Sequence, residues 1–299
     1  MSIRNKDLDM SLPPPGADQA YCDVSALEAG IIKLSFAGFT TSASSGSAAW
    51  VPSLAFLLQH SSNREKFVFD LGIRKDWEKL PPDTHKMVSE GYPVEISQDV
   101  AESLAKGGTS PSEISTVCLS HVHFDHAGDT TLFPESTFLV GDGAKYAIEH
   151  KLPLIAVDLP PTRTTYLSPD EWQPLGPFPQ ALDFYGDGSL YIVNAFGHLH
   201  GHINVLARTS SDGAWIYLAG DSAHHWDLVT GKGKIAVHET ATGFARCAHV
   251  DKEAAEQHLL RIRKLTEMPR IRVLLAHDGP WYEENKGGPA FWPGKIPSS

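Results

Sequence analysis

Three cysteines in 299 residues (Cys22, Cys118 and Cys247) are too few, too scattered and wrong in parity for a disulfide framework or a Cys-rich zinc site. Basic residues are also scarce: 25 Lys and Arg against 36 Asp and Glu leave a formal charge of −11. That balance argues against a nucleic-acid surface, which needs a basic stripe, and against a polybasic membrane anchor. No apolar run approaches the length of a membrane-spanning helix. Met1 to Gln19 carries Pro13-Pro14-Pro15 and lacks an apolar h-region, so no secretory signal is expected and the protein is expected to be cytoplasmic. What remains is a chain that is 41% hydrophobic, an ordinary globular composition able to bury a large core. Residues 1–20 read as a flexible N-terminal arm, and 21–299 as a single domain.

Along the chain, short apolar runs recur and each ends in polar residues of one kind. Ile31–Phe36 and Ser53–Leu58 read as strands, with a Gly/Ser/Ala-rich connection over 37–52 that suits either a disordered loop or a binding lid. The run Lys66-Phe-Val-Phe ends at Asp70, for which structural hydrogen bonding is the commoner role and catalysis the rarer one. Ser97 is the expected cap of a short helix that ends at Gly107-Gly108. Thr137–Val140 reads as a strand and Gly143–His150 as a helix. Leu152–Gly188 is proline-rich with no sustained period, the expected wall of a substrate pocket. Leu190–Val193 and Ala214–Ala219 are strands, Asp251 caps a helix with Ala255, Leu259, Ile262 and Leu265 on one face, and Ile271–Ala276 closes the series.

The chemistry concentrates at His121-Val-His123-Phe-Asp125-His126, directly after the apolar run Ile114–Leu119. Alternation at a strand end sends His121 and His123 to the same side, where both can reach one ion. Asp125 and His126 can then point at a second position. Neutral imidazole and carboxylate are the ligands that zinc prefers. Gly197-His198-Leu-His200-Gly-His202, Gly220-Asp221 and His277-Asp278 likewise follow apolar strands. That recurrence gathers them along one sheet edge, where α/β architectures build their sites.

Taken in order, Ser120-His-Val-His-Phe-Asp-His-Ala-Gly-Asp129, Gly197-His198-Leu-His-Gly-His202, Gly220-Asp221 and Ala276-His277-Asp278 resemble the metallo-β-lactamase-fold hydrolases. The resemblance runs from about Ile31 to Trp281. It implies a mixed α/β fold, a four-layer αβ/βα sandwich, with two divalent metal ions, expected to be Zn2+. One would be held by His121, His123 and His198, the other by Asp125, His126 and His277, with Asp221 between them. His200 and His202 are read as supporting residues.

Leu132-Phe-Pro-Glu135 and the Phe56-Leu-Leu and Phe69-Asp-Leu-Gly stretches are similar to the N-acyl homoserine lactonase branch. Too few residues follow His277 here for the helical domain of glyoxalase II. In the bacterial lactonases a tyrosine lies three residues after the bridging aspartate; here that position is His224, followed by His225 and Trp226. The resemblance thus implies hydrolytic opening of a small lactone or ester, with Asp125 passing a proton to the leaving oxygen. His224 is the candidate oxyanion donor. Phe39, Trp50, Trp172 and Phe184 are candidate acyl-chain contacts. A thioesterase, an iron-dependent persulfide dioxygenase and a metal-holding binding protein are the alternatives, and a homodimer is compatible with the sequence.

Overall fold

The computed structural model describes residues 11–239 and 245–299. Its centre is a pair of mixed six-stranded sheets. In the first, the strands Cys22–Leu27, Ala55–His60, Lys66–Phe69, Thr116–Cys118, Thr137–Gly141 and Thr164–Leu167 lie side by side in chain order. Pairing is antiparallel up to Lys66–Phe69 and parallel beyond it. The second sheet runs Gln173–Leu175, Phe178–Asp183, Leu190–Asn194, Ile203–Arg208, Trp215–Leu218 and Ile271–Leu274, antiparallel except for the last pair.

Side-chain alternation sorts the apolar residues into layers. Phe56, Leu58, Phe67, Phe69 and Cys118 of the first sheet meet Ile192, Ile203, Val205, Ile216 and Leu218 of the second in a shared core. Their neighbours Leu57, Val68, Val117 and Phe138 face the other way, against Val100, Leu104, Ala144 and Ala147 of two short helices. On the far side, Val193, Leu206, Tyr217 and Val273 pack on Ala255, Leu259, Ile262 and Leu265 of the Lys252–Thr266 helix. Strands covered on both faces need near-continuous apolar sequence, the pattern these runs show. The result is the expected mixed α/β arrangement of two sheets flanked by helices.

Several local expectations shift. The helix over Val100–Lys106 is capped by Asp99, not Ser97. Asp99 accepts from the Glu102 N–H at 2.8 Å, and Glu102 accepts from the Asp99 N–H, a reciprocal box that Ser97 stands too early to make. The 37–52 connection is partly ordered, since Ala48–Pro52 forms a strand against Ile31–Ser35. Leu152–Gly188 contains three strands and contributes an outer edge to each large sheet. The helix Pro82–Gly91 and the strand Ile203–Arg208 have no counterpart in the sequence reading. Of the expected N-terminal arm, residues 1–10 lie outside the described residues. The Pro13 and Pro14 carbonyls accept from Arg208, whose buried guanidinium lies 4.1 Å over the Trp215 ring.

Candidate metal centre

The polar residues that follow the central strands converge at one edge of the two sheets. His121 leaves the Thr116–Cys118 strand through Leu119 and Ser120, and His123 opens the one-turn helix Phe124–Ala127 that carries Asp125 and His126. The Ser120 carbonyl accepts from the Ile203 N–H at 2.8 Å, so the two sheets are joined beside the cluster. His198 lies in the connection from Leu190–Asn194 to Ile203–Arg208. Asp221 sits in the Gly220–Ser222 turn after Trp215–Leu218, where Gly220 takes a φ of +47°. His277 follows Ile271–Leu274.

Two groups of ligand atoms result. His121 Nε2 lies 2.8 Å and His198 Nε2 3.2 Å from His123 Nδ1. Asp221 Oδ2 stands 3.8 Å from His121 Nε2 and 3.5 Å from His198 Nε2. The other carboxylate oxygen of Asp221 is 3.3 Å from both His126 Nε2 and His277 Nε2. Asp125 Oδ2 completes this second group, 3.5 Å from His277 Nε2 and 3.9 Å from His126 Nε2. Asp221 therefore turns one oxygen to each group.

The hydrogen bonds behind the rings fix which nitrogen is free. Ser120 donates to Asp70 through its N–H at 2.6 Å and its hydroxyl at 2.8 Å, so Ser120 Oγ is left to accept from His121 Nδ1 at 3.0 Å. His126 Nδ1 donates to Asp70 Oδ2 at 2.9 Å, and His277 Nδ1 donates to the Pro52 carbonyl at 2.8 Å. A neutral imidazole that donates from Nδ1 carries its lone pair on Nε2. Three such lone pairs thus point inward, on rings anchored as metal-ligating histidines are anchored. Asp70 holds His126 directly and His121 through Ser120, a structural role.

Electrostatics at the cluster favour a cation. Burial would raise the Asp221 carboxyl, but the His126, His224 and His277 imidazoles outweigh it and hold the group well below the ordinary carboxylate range. Burial opposes charge on His126, yet Asp221, Asp125 and Asp70 raise it well above its ordinary value. His277 is raised on the same balance, with Asp221 against burial. His121 and His198 go the other way, lowered chiefly by burial. A site that draws protons onto buried imidazoles draws divalent metal in their place. His126 Nε2 and Asp221 Oδ1 have no hydrogen-bond partner although both are buried, an unmet valence that a metal ion fits. The donor set, imidazole nitrogen with carboxylate oxygen, is one that divalent metal ions take.

His224, the position that departs from the lactonase pattern, is buried rather than on the surface. Its Nε2 lies 3.1 Å from Asp221 Oδ2, and its ring stacks on Phe39 with centroids 4.2 Å apart. His123, Asp125, His198, Asp221, His224 and His277 line one side of a pocket; Ile32, Leu34, Phe39, Tyr92 and Leu154 form apolar walls. Of the candidate acyl-chain contacts, only Phe39 is here. Trp50 is 40% exposed on the small sheet, Trp172 lines a separate surface pocket, and Phe184 packs on Phe67 in the core. The proline-rich stretch contributes Leu154 to the pocket wall and Leu152 and Pro153 to the groove beside it, while Thr164–Leu167, Gln173–Leu175 and Phe178–Asp183 build strands.

Sequence reasoning missed His249. Its buried ring stands 5.3 Å from that of His198 and 5.9 Å from that of His224. No apolar strand precedes it and no motif surrounds it, so the signal that marked the others is absent. His200 and His202 separate: His200 meets the exposed Tyr146 ring edge-on, while His202 is buried behind Asp221.

Comparison with known proteins gives this arrangement a family. A model described as "Metallo-beta-lactamase superfamily" matches residues 48–268. The chain belongs to that superfamily. It is 38% identical over 195 residues to Gamma-lactamase FDB1 of Fusarium pseudograminearum, covering 58% of this chain and 45% of the relative. Gamma-lactamase MBL2 of Gibberella moniliformis is 38% identical over 176 residues, covering 53% of this chain and 70% of the relative. The chain thus spans less than half the length of the first of these. Among solved structures, an N-acyl homoserine lactone hydrolase with its product N-hexanoyl-L-homoserine bound at the metal centre superposes with a TM-score of 0.68. The alignment has 15% identity and covers 93% of this chain and 100% of that one. At that identity the likeness is one of fold. A metallo-β-lactamase fold accounts for the two flanked sheets and for the gathering of ligand-type residues at their shared edge.

Proposed function

We propose that the protein is a metal-dependent hydrolase that opens the ring of a small cyclic acyl compound, a γ-lactam first and a lactone second. The observation that carries this reading is the pocket. It is narrow and apolar on its walls, and its floor is formed by the two ligand groups that share Asp221. The gamma-lactamase relatives favour a cyclic amide over the homoserine lactones that the sequence resemblance suggested.

His121, His123 and His198 would hold one ion and Asp125, His126 and His277 the other, with Asp221 between them. Divalent metal bound there would supply Lewis acidity, lowering the pKa of water toward neutrality and polarising an acyl carbonyl. The chain's own residues do the rest. Ile32, Leu34, Phe39, Tyr92 and Leu154 exclude bulk water and orient a compact ring against the polar floor. His224 is held between the Phe39 ring and Asp221, and in this reading its Nε2–H is shared between that carboxylate and an oxygen that gains charge. Asp125 faces the same pocket, and in this reading it carries a proton to the leaving atom. That step matters more for a lactam, since an amide nitrogen leaves poorly unless protonated.

The test is ring opening of simple γ-lactams, γ-lactones and N-acyl homoserine lactones, with an acyclic thioester alongside and a chelator-treated control for each. Chelator-sensitive turnover, fastest on lactams, is the expected outcome. Turnover confined to the thioester, or indifferent to chelator, would overturn the proposal.

A further inference from the structure

His202 touches no part of the pocket, yet its position ties together two of the segments that bear ligands. It closes the loop from Leu190–Asn194 to Ile203–Arg208, the loop that carries His198. There it grips Ala195 twice: its carbonyl accepts from the Ala195 N–H at 3.1 Å, and its Nδ1 donates to the Ala195 carbonyl at 3.1 Å. With Nδ1 protonated, Nε2 is an acceptor, and it accepts from the backbone N–H of Asp221 at 3.1 Å. The ring is fully buried, edged against His121 at 5.2 Å and His198 at 5.6 Å.

The Gly220–Ser222 turn is shaped for this contact. Gly220 has a φ of +47°, and a Cβ there would lie 2.9 Å from His202 Nε2 and 3.0 Å from Ser120 Cβ. Only glycine lets the imidazole approach the peptide that follows it. A carboxylate that must turn one oxygen to each ligand group has little tolerance for rotation about its own backbone, and the N–H of Asp221 is its nearest fixed point.

We propose that His202 is the positioning residue for Asp221. As a neutral acceptor it locks the Gly220–Asp221 peptide against the His198 loop, so that both oxygens of the Asp221 carboxylate are presented at once. This rests on the metal-centre reading above. It adds that occupancy of both positions depends on a residue that binds neither ion.

Three variants separate the contacts. His202→Gln keeps an acceptor near the position of Nε2, His202→Asn keeps a donor near the position of Nδ1, and His202→Leu keeps neither. Metal per chain after dialysis against limiting zinc is measured with kcat and KM, and melting of chelator-treated protein serves as the control for folding. Wild type should retain two equivalents. His202→Asn and His202→Leu should bind the more weakly held metal about 10–100-fold less tightly, with kcat reduced and KM unchanged. His202→Gln should recover most of both. Equal metal retention in wild type and all three variants would overturn the proposal, as would identical behaviour of His202→Gln and His202→Asn. Should His202→Leu fail to fold, the Gln–Asn comparison decides alone. A wild-type protein that takes up no zinc would overturn the metal-centre reading itself, a failure distinct from that of His202.

Discussion

Two buried histidines are each paired with an aspartate at an N···O distance of 2.9 Å: His126 with the buried Asp70, and His60 with the partly exposed Asp187. They differ in what the second ring nitrogen does. His60 Nδ1 accepts from the backbone N–H groups of Ser62 and Asn63, so the ring is fully satisfied and pins a turn. His126 Nε2 has no hydrogen-bond partner and faces Asp221 beside Asp125, His121 and His277. The same pair of residue types is therefore a brace in one place and the rear support of a ligand in the other. A buried polar atom left unpaired costs stability, so a cluster of them marks a place suited to a cation more sharply than the presence of histidine does.

The sharpest way to break this contrast is Asp221→Ala. Loss of the shared carboxylate should remove metal and activity together, beyond the 10–100-fold typical of outer partners, about 100-fold or more in turnover. Two bound metals and full activity in that variant would sink the bridging assignment. Asp70→Asn tests the rear support: zinc affinity, read by competition with a chromophoric chelator, should fall about 10–100-fold. Unchanged affinity would make Asp70 a brace like Asp187.

His258 extends the comparison to a buried histidine far from solvent, bonded to Tyr217 at 2.9 Å beside Asn204. Burial pushes it down to about 3, so it is neutral in the folded state, whereas the unfolded chain protonates it near pH 6.5. The unfolded state then binds more protons, and this contribution to stability is lost as pH falls from about 6.5 toward 3, at up to about 1.4 kcal/mol per unit. In chelator-treated protein, the stability deficit of His258→Gln at pH 8 should therefore shrink at pH 5. Urea unfolding at the two pH values reads it, and an unchanged deficit would refute the linkage. The smallest effect belongs to the satisfied pair. Asp187→Asn should cost about 1 kcal/mol, because Asp187 is partly exposed, and leave metal content and turnover at wild-type values.

The seven proposed ligands were legible because each follows a strand or opens the turn after one, and strand ends are a local property of the sequence. His249 was not, since the strand before it, Ala245–Arg246, is only two residues long and is no apolar run. The aromatic residues divide for a similar reason. Phe39 reaches the pocket while Trp50, Trp172 and Phe184 do not, and composition alone makes all four equivalent candidates.

By itself the sequence supplied the apolar strand runs and the order of the ligand-type residues that end them, because both are written over a few neighbouring residues, while the layered architecture was what the family resemblance implied. Only the tertiary structure decided which oxygen of Asp221 faces which histidines, which ring nitrogens are free, and that His202 stands behind the Asp221 peptide. Those relations join residues tens to hundreds of positions apart, and they are set by the packing of one sheet on the other and the close approach that Gly220 permits.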